Sequence, residues 1–205
     1  MNGMDLPIFP LGDPGRKEIQ VSGFGGQGVV MTTNILGRVA TVEEGRNSVM
    51  TQSYGPESRG GASLAELIID AEEIGYPRVT QPDLAVVLSG PAYEKYGRIR
   101  PEGTLLIVER DLVDLSPADE ESDRVLRVPA TRIAEDLGRR IVTNIVVLGF
   151  LCATTELMPA EALRRGIAAS VPSHTEQLNM DAFEAGRAYA QELAGGAAAE
   201  KEVGA

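Results

Sequence analysis

Residues 17–28, K-E-I-Q-V-S-G-F-G-G-Q-G, set the fold of this 205-residue chain. Ile19 and Val21 mark a short buried strand. A run of glycines follows, and then a helix starts near Gly28 with Val29, Val30, Met31, Ile35 and Leu36 on its apolar side. Glycines strip every Cβ from a tight strand-to-helix turn. The backbone then approaches a ligand closely, and the N–H groups at the helix start face outward as an anion site. Gly23, Gly25 and Gly28 satisfy G-x-G-x-x-G, the dinucleotide fingerprint. The match is weak by itself, because glycines also serve plain close packing of helix on strand.

Working outward, the helix is expected to run to Ala40 or Glu44, with Gly45 as its stop. A short strand over 47–51 comes next. Residues 52–61, Q-S-Y-G-P-E-S-R-G-G, are too rich in turn formers for regular structure. They read either as a loop that wraps a polar ligand or partner, or as a long surface turn. Strands are expected over 62–70, 84–89, 104–109 and 125–128, with an acidic solvated loop at 117–123. Helices are expected over 93–96, 131–139, 144–155, 159–169 and 179–193. Continuous apolar strands alternating with helices predict an α/β fold, with a mixed, mostly parallel sheet flanked by helices and a Rossmann-like glycine-rich first turn. The two strands between Asn47 and Ile69 have only a loop between them, which suits an antiparallel pair. Residues 17–193 read as one domain, 1–16 as an irregular arm and 194–205 as a flexible tail. The arm's Leu6, Ile8, Phe9 and Leu11 are apolar enough to pack on a neighbouring subunit or on their own domain.

Thirty acidic against nineteen basic residues give a formal charge of −11. Such a surface repels nucleic acid and anionic membranes, so neither is an expected partner. The single cysteine, Cys152, lies in an apolar helical run and reads as a structural thiol. It excludes an intramolecular disulfide and any cysteine-built zinc or iron–sulfur site. His174 is the only histidine, which suits a loop or cap better than a ligand. No run reaches membrane-span length, and the N-terminus lacks the pattern of a signal peptide, so a cytoplasmic location is expected.

An NAD site wants an acidic residue at the end of the second strand, about 20 residues past the glycines. That strand ends in Thr51-Gln52, with Glu43 and Glu44 before it. No G-K-[ST] follows the glycines, no G-x-S-x-G is present, and a lone histidine makes a Ser-His-Asp triad hard to build. A ligand-binding subunit fits this pattern better than a self-sufficient enzyme. A stand-alone NAD or flavin oxidoreductase and a ligand-free scaffold are the alternatives.

Three segments together, G-F-G-G-Q-G (23–28), T-Q-S-Y-G-P-E-S-R-G-G (51–61) and Y-P-x-V-T-x-P-D (76–83), resemble the gamma subunit of the 2-oxoacid:ferredoxin oxidoreductases. N-x-V-x-L-G (144–149) and L-N-x-x-A-F-E-A-G (178–186) extend the resemblance across about residues 17–189. The resemblance implies a subunit of a cytoplasmic complex that oxidatively decarboxylates a 2-oxo acid to acyl-CoA and carbon dioxide and passes electrons to ferredoxin. Thiamine diphosphate would lie between alpha and beta subunits, and iron–sulfur clusters in other subunits, one of them ferredoxin-like. Coenzyme A would be the ligand met by this chain. Amides around Gly23, Gly25, Gly26, Gln27 and Gly28 would hold one CoA phosphate. Arg59 would pair with another, Ser53 and Tyr54 would donate hydroxyls, and Gly60 and Gly61 would let the loop adapt. The Y-G-P-E-S-R-G-G form points to the 2-oxoglutarate-like branch.

Overall fold

The computed structural model describes residues 9–13, 15–54 and 62–203, with Tyr54 and 195–203 described by backbone alone. Leu6, Ile8, Arg59, Gly60 and Gly61 lie outside the described residues. Six strands form one sheet in the order β2-β3-β1-β4-β5-β6. They are β1 (Lys17–Gly23), β2 (Asn47–Tyr54), β3 (Ser63–Asp70), β4 (Leu84–Val87), β5 (Leu105–Glu109) and β6 (Val125–Val128). Only β3 runs against its neighbours, paired antiparallel to both β1 and β2, whereas β1, β4, β5 and β6 pair parallel. The expected mixed, mostly parallel sheet and the antiparallel pair before Ile69 are both present.

The first helix, α1 (Val29–Arg38), continues as a π-helical turn, Val39–Glu43, and Gly45 stops it at φ 66. A short α2 (Gly90–Ala92) likewise runs into a π turn, Tyr93–Gly97. Then come α3 (Pro117–Glu120), α4 (Ala130–Asp136), α5 (Thr143–Thr155), α6 (Ala160–Ala168) and α7 (Glu176–Val203).

Alternate residues of the strands feed two cores. Ile19, Val21, Leu67, Val86 and Ile107 pack beneath α1 and α4–α7, whereas Ala85, Val87, Leu106 and Val108 pack against Tyr93 and Val113 on the other face. Alternation of side chains across a pleated strand requires this split. The α5 helix is buried nearly all round and packs chiefly against α7, with α4, α1 and α6 on its other sides. Its Gly149 and the Gly186 of α7 are where the two backbones meet. A Cβ at Gly149 would lie 2.0 Å from the Phe183 carbonyl oxygen, and one at Gly186 would lie 2.0 Å from that of Val146.

Several boundaries differ from expectation, each for a local reason. Gln52, Ser53 and Tyr54 belong to β2 and not to an irregular loop, because β3 supplies partners through Ala65, Leu64 and Ser63. The acidic stretch at 117–123 is not simply a solvated loop. Ser116 caps the Asp119 amide and Pro117 pre-sets the first helical φ, so a short helix forms. Asp119 is buried there and accepts from Tyr93 and Arg100. The last helix starts at Glu176, before the expected Asn179, and runs past Leu193 to Val203. In the arm, Phe9 and Leu11 pack on their own domain. Their amides donate to the carbonyls of Thr154 and Thr155 at 2.9 and 2.8 Å.

Candidate functional site

The chain leaves β1 through α1 toward β2 on one side, and leaves β4 through α2 toward β5 on the other. The carboxyl ends of β1 and β4 are therefore the point where the connections diverge, the place where open α/β sheets form a crevice. The glycine turn occupies it.

Gln27 holds the turn together. Its Oε1 accepts the Phe24 amide at 2.6 Å, its Nε2 donates to the Leu88 carbonyl at 2.8 Å, and its own amide closes on the Phe24 carbonyl at 3.2 Å. Gln27 thus ties β1 to β4 and keeps neither amide group for a ligand. Gly23 must lack a Cβ because one would meet Gln27 Oε1 at 2.6 Å and Leu88 Cβ at 3.0 Å. Gly26 has φ 90 and Gly28 has φ 74, values that L side chains resist. Gly25 is different, since a Cβ there would meet nothing within 4 Å and its φ is unexceptional. Among the described residues no acceptor meets the amides of Gly25, Gly26 or Gly28.

The α1 start has no side-chain cap and no acidic residue in its first turn. Its unpaired amides and the positive end of its dipole are left for an anion. Two other clefts, about 650 and 680 Å³, lie away from the turn. Each mixes arginines with carboxylates: Arg46 and Arg187 with Glu44 and Glu156 in one, Arg98 and Arg124 with Asp119 and Asp123 in the other.

The second half of the predicted site reaches the same edge of the sheet. Tyr54, Ser63 and Gly23 stand in one row across β2, β3 and β1, and Ser53, Leu64 and Ser22 in the row before it. Two strand spacings put Ser53 roughly 10 Å from β1, and Ser53 is exposed. The Ser63 hydroxyl donates to the Gly23 carbonyl at 3.0 Å and fixes the end of β1. The inserted β3 also bears on the NAD alternative. The strand after α1 is not beside β1, so the usual ribose-binding position at its end is displaced by one strand.

One polar residue beside the turn was not assigned a role from sequence. Asn144, the second residue of α5, packs its side chain against Gly28, with Nδ2 2.9 Å from where a Cβ would be. The signal available was an amide inside an otherwise apolar helical run. Phe24, in the turn itself, stands exposed. Farther along the same edge Glu109 is fully buried. Burial pushes its carboxyl up from the ordinary range, despite amide donors from Thr131 and Asp111. Among the described residues no group of His, Cys, Asp or Glu is placed to hold a metal ion, and no helix is long and apolar enough to cross a membrane.

Residues 18–189 match the family model of pyruvate ferredoxin/flavodoxin oxidoreductase. The chain belongs to that family. It is 45% identical to the KorC subunit of 2-oxoglutarate synthase from Methanocaldococcus jannaschii, over 87% of this chain and 96% of that one. Among solved structures it is similar to the gamma subunit of a keto/oxoacid ferredoxin oxidoreductase from Geobacter sulfurreducens. That match has TM-score 0.72 and 36% identity, covering 83% of this chain and 95% of that one. A 2-oxoglutarate:ferredoxin oxidoreductase from Magnetococcus marinus, solved with 2-oxoglutarate, coenzyme A and succinyl-CoA bound, shares the fold at TM-score 0.73 and 22% identity. The match covers 88% of this chain and 32% of that one.

Proposed function

We propose that this chain is the gamma subunit of a 2-oxoacid:ferredoxin oxidoreductase and that its glycine turn faces coenzyme A. The subunit assignment rests on the family match and on the near-complete overlap with the methanogen subunit. The complex takes a 2-oxo acid and CoA to acyl-CoA and carbon dioxide, and two electrons leave to ferredoxin or a similar acceptor. A cytoplasmic location goes with this reading. Thiamine diphosphate supplies the decarboxylation chemistry from the alpha and beta subunits, and iron–sulfur clusters sit in a ferredoxin-like partner. The one cysteine of this chain, itself buried, does not suit a cluster. The similarity to the methanogen subunit favours 2-oxoglutarate as the substrate.

The observation that carries the CoA reading is the open turn. Among the described residues the Gly25, Gly26 and Gly28 amides have no acceptor, and a Cβ at Gly25 would meet nothing within 4 Å, which leaves a phosphate donors and room. Arg59 would pair with a second phosphate, with Ser53 and Tyr54 beside it. The test uses the assembled complex. CoA should protect 23–28 and 51–61 from hydrogen exchange, and Arg59→Ala should raise the CoA requirement with assembly intact. No protection at either segment defeats the CoA reading. A panel of 2-oxo acids assayed on the same complex decides the substrate, and activity confined to pyruvate would overturn the 2-oxoglutarate assignment.

A second reading has its own observation. Phe24, in the turn, is an exposed large hydrophobic, which suits a subunit contact. Loss of assembly in Phe24→Ser with unchanged CoA protection of any remaining complex would favour it.

A further inference from the structure

Two helices begin at the same place. Gly28 precedes the first residue of α1, and Asn144 is the second residue of α5. Their contact brings both N-termini together. Neither helix has a side-chain cap, and neither has an acidic residue in its first turn. The α1 end carries about half a positive charge on unpaired amides, whereas α5 continues from a 3-10 turn, Arg140–Val142, whose Arg140 carbonyl accepts the Thr143 amide.

Asn144 supplies the independent sign that a ligand belongs there. It is only 4 % exposed, yet its side-chain amide has no hydrogen-bond partner among the described residues. Its amide atoms are not among the fully buried side-chain atoms without a partner, which among the described residues are Arg46 Nε and Arg187 Nε, so the group still reaches open space beside the turn. The neighbouring Gln27 makes the contrast plain, because both its amide groups are used inside the protein. One amide braces the turn, and the other stands beside the turn unused.

We infer that the Asn144 side chain donates from Nδ2 to a phosphate oxygen of the ligand, which sits between the starts of α1 and α5. The inference rests on the CoA reading above and adds a binding residue to it. Gly28 then has two reasons to lack a side chain: its left-handed backbone, and the Asn144 amide that lies where the Cβ would be.

The test compares three forms of the assembled complex by calorimetric titration with CoA: unaltered, Gly25→Ala and Asn144→Asp. The aspartate is close in shape, and a carboxylate at the start of α5 favours the helix, so folding is preserved and thermal denaturation checks it. Replacing a donor to phosphate by a negative charge should weaken CoA at least about tenfold. Asn144→Ser, which keeps a donor, should lose less. Weakening in both Gly25→Ala and Asn144→Asp supports the whole picture. Weakening in Gly25→Ala alone overturns the role of Asn144 and leaves the CoA reading standing. No weakening in either overturns both. Weakening in Asn144→Asp alone keeps Asn144 as a ligand contact and refutes the approach of CoA over Gly25.

Discussion

Gly28→Ala tests the turn most directly. The residue sits at φ 74, ψ 20, where an alanine pays about 1–2 kcal/mol. Its Cβ would also lie 2.6 Å from Asn144 Cγ and 2.7 Å from Asn144 Cβ. Asn144 is buried on α5 and has little room to turn aside, so an overpacking cost of about 1–3 kcal/mol applies as well. Gly28 precedes the helix, so no gain in helix propensity offsets these costs. The expected loss is about 3 kcal/mol, or about 6–12 °C in melting temperature for a chain of this size. Gly25→Ala is the internal control. Its new methyl meets nothing, so its stability should stay within about 0.5 kcal/mol of the parent. Thermal and urea denaturation of the full-length chain read both. If Gly28→Ala melts with the parent, or Gly25→Ala falls as far, the steric reading of the turn is wrong.

Other positions give equally direct expectations. Gly149→Ala forces a methyl to 2.0 Å from the Phe183 carbonyl. The helices must part by more than an ångström, and the urea midpoint should drop by the equivalent of about 3 kcal/mol; an unchanged midpoint refutes the close crossing. Burial by itself raises the Glu18 carboxyl, but the amides of Gln81 and Thr80 and the Arg16 guanidinium outweigh it, and the net shift is downward. A lowered carboxyl stabilises fully above its ordinary value of 4.5 and loses that contribution as pH falls through its folded value. Glu18→Gln should therefore flatten the acid limb of a melting-temperature profile, and a limb parallel to the parent's would rule this out. Cys152 is buried, and burial pushes its thiol up although Arg187 and Arg164 pull it down. A thiol reagent should modify it only as the chain unfolds, and rapid labelling of the native protein would contradict that.

The sheet was legible because the strands declare themselves locally. Leu84–Val87 and Leu105–Val108 are continuous apolar runs, as strands covered on both faces must be. The glycine turn was legible for a related reason, since only glycine tolerates φ 90 and φ 74. Long-range pairing was harder. Gln52–Tyr54 read as loop because their strand character comes from β3 and not from their own composition. The helix at Pro117 was hidden by acidic residues whose partners, Tyr93 and Arg100, are remote in sequence. In the site, the sequence could count Gln27 among the binding residues but had no means of showing that Leu88 and Phe24 occupy it. Asn144 was hidden for the converse reason. Nothing local says that residue 144 meets residue 28.

The bare crossing of α5 and α7 has a mechanical consequence. At Gly149 and Gly186 backbone meets backbone, with no side chain between them to change rotamer and absorb a push. A displacement imposed on the outer helix is handed to the inner one as a rigid shift, and the inner one carries Asn144 at its tip. Through that bare crossing a push on α7 reaches the glycine turn by way of α5.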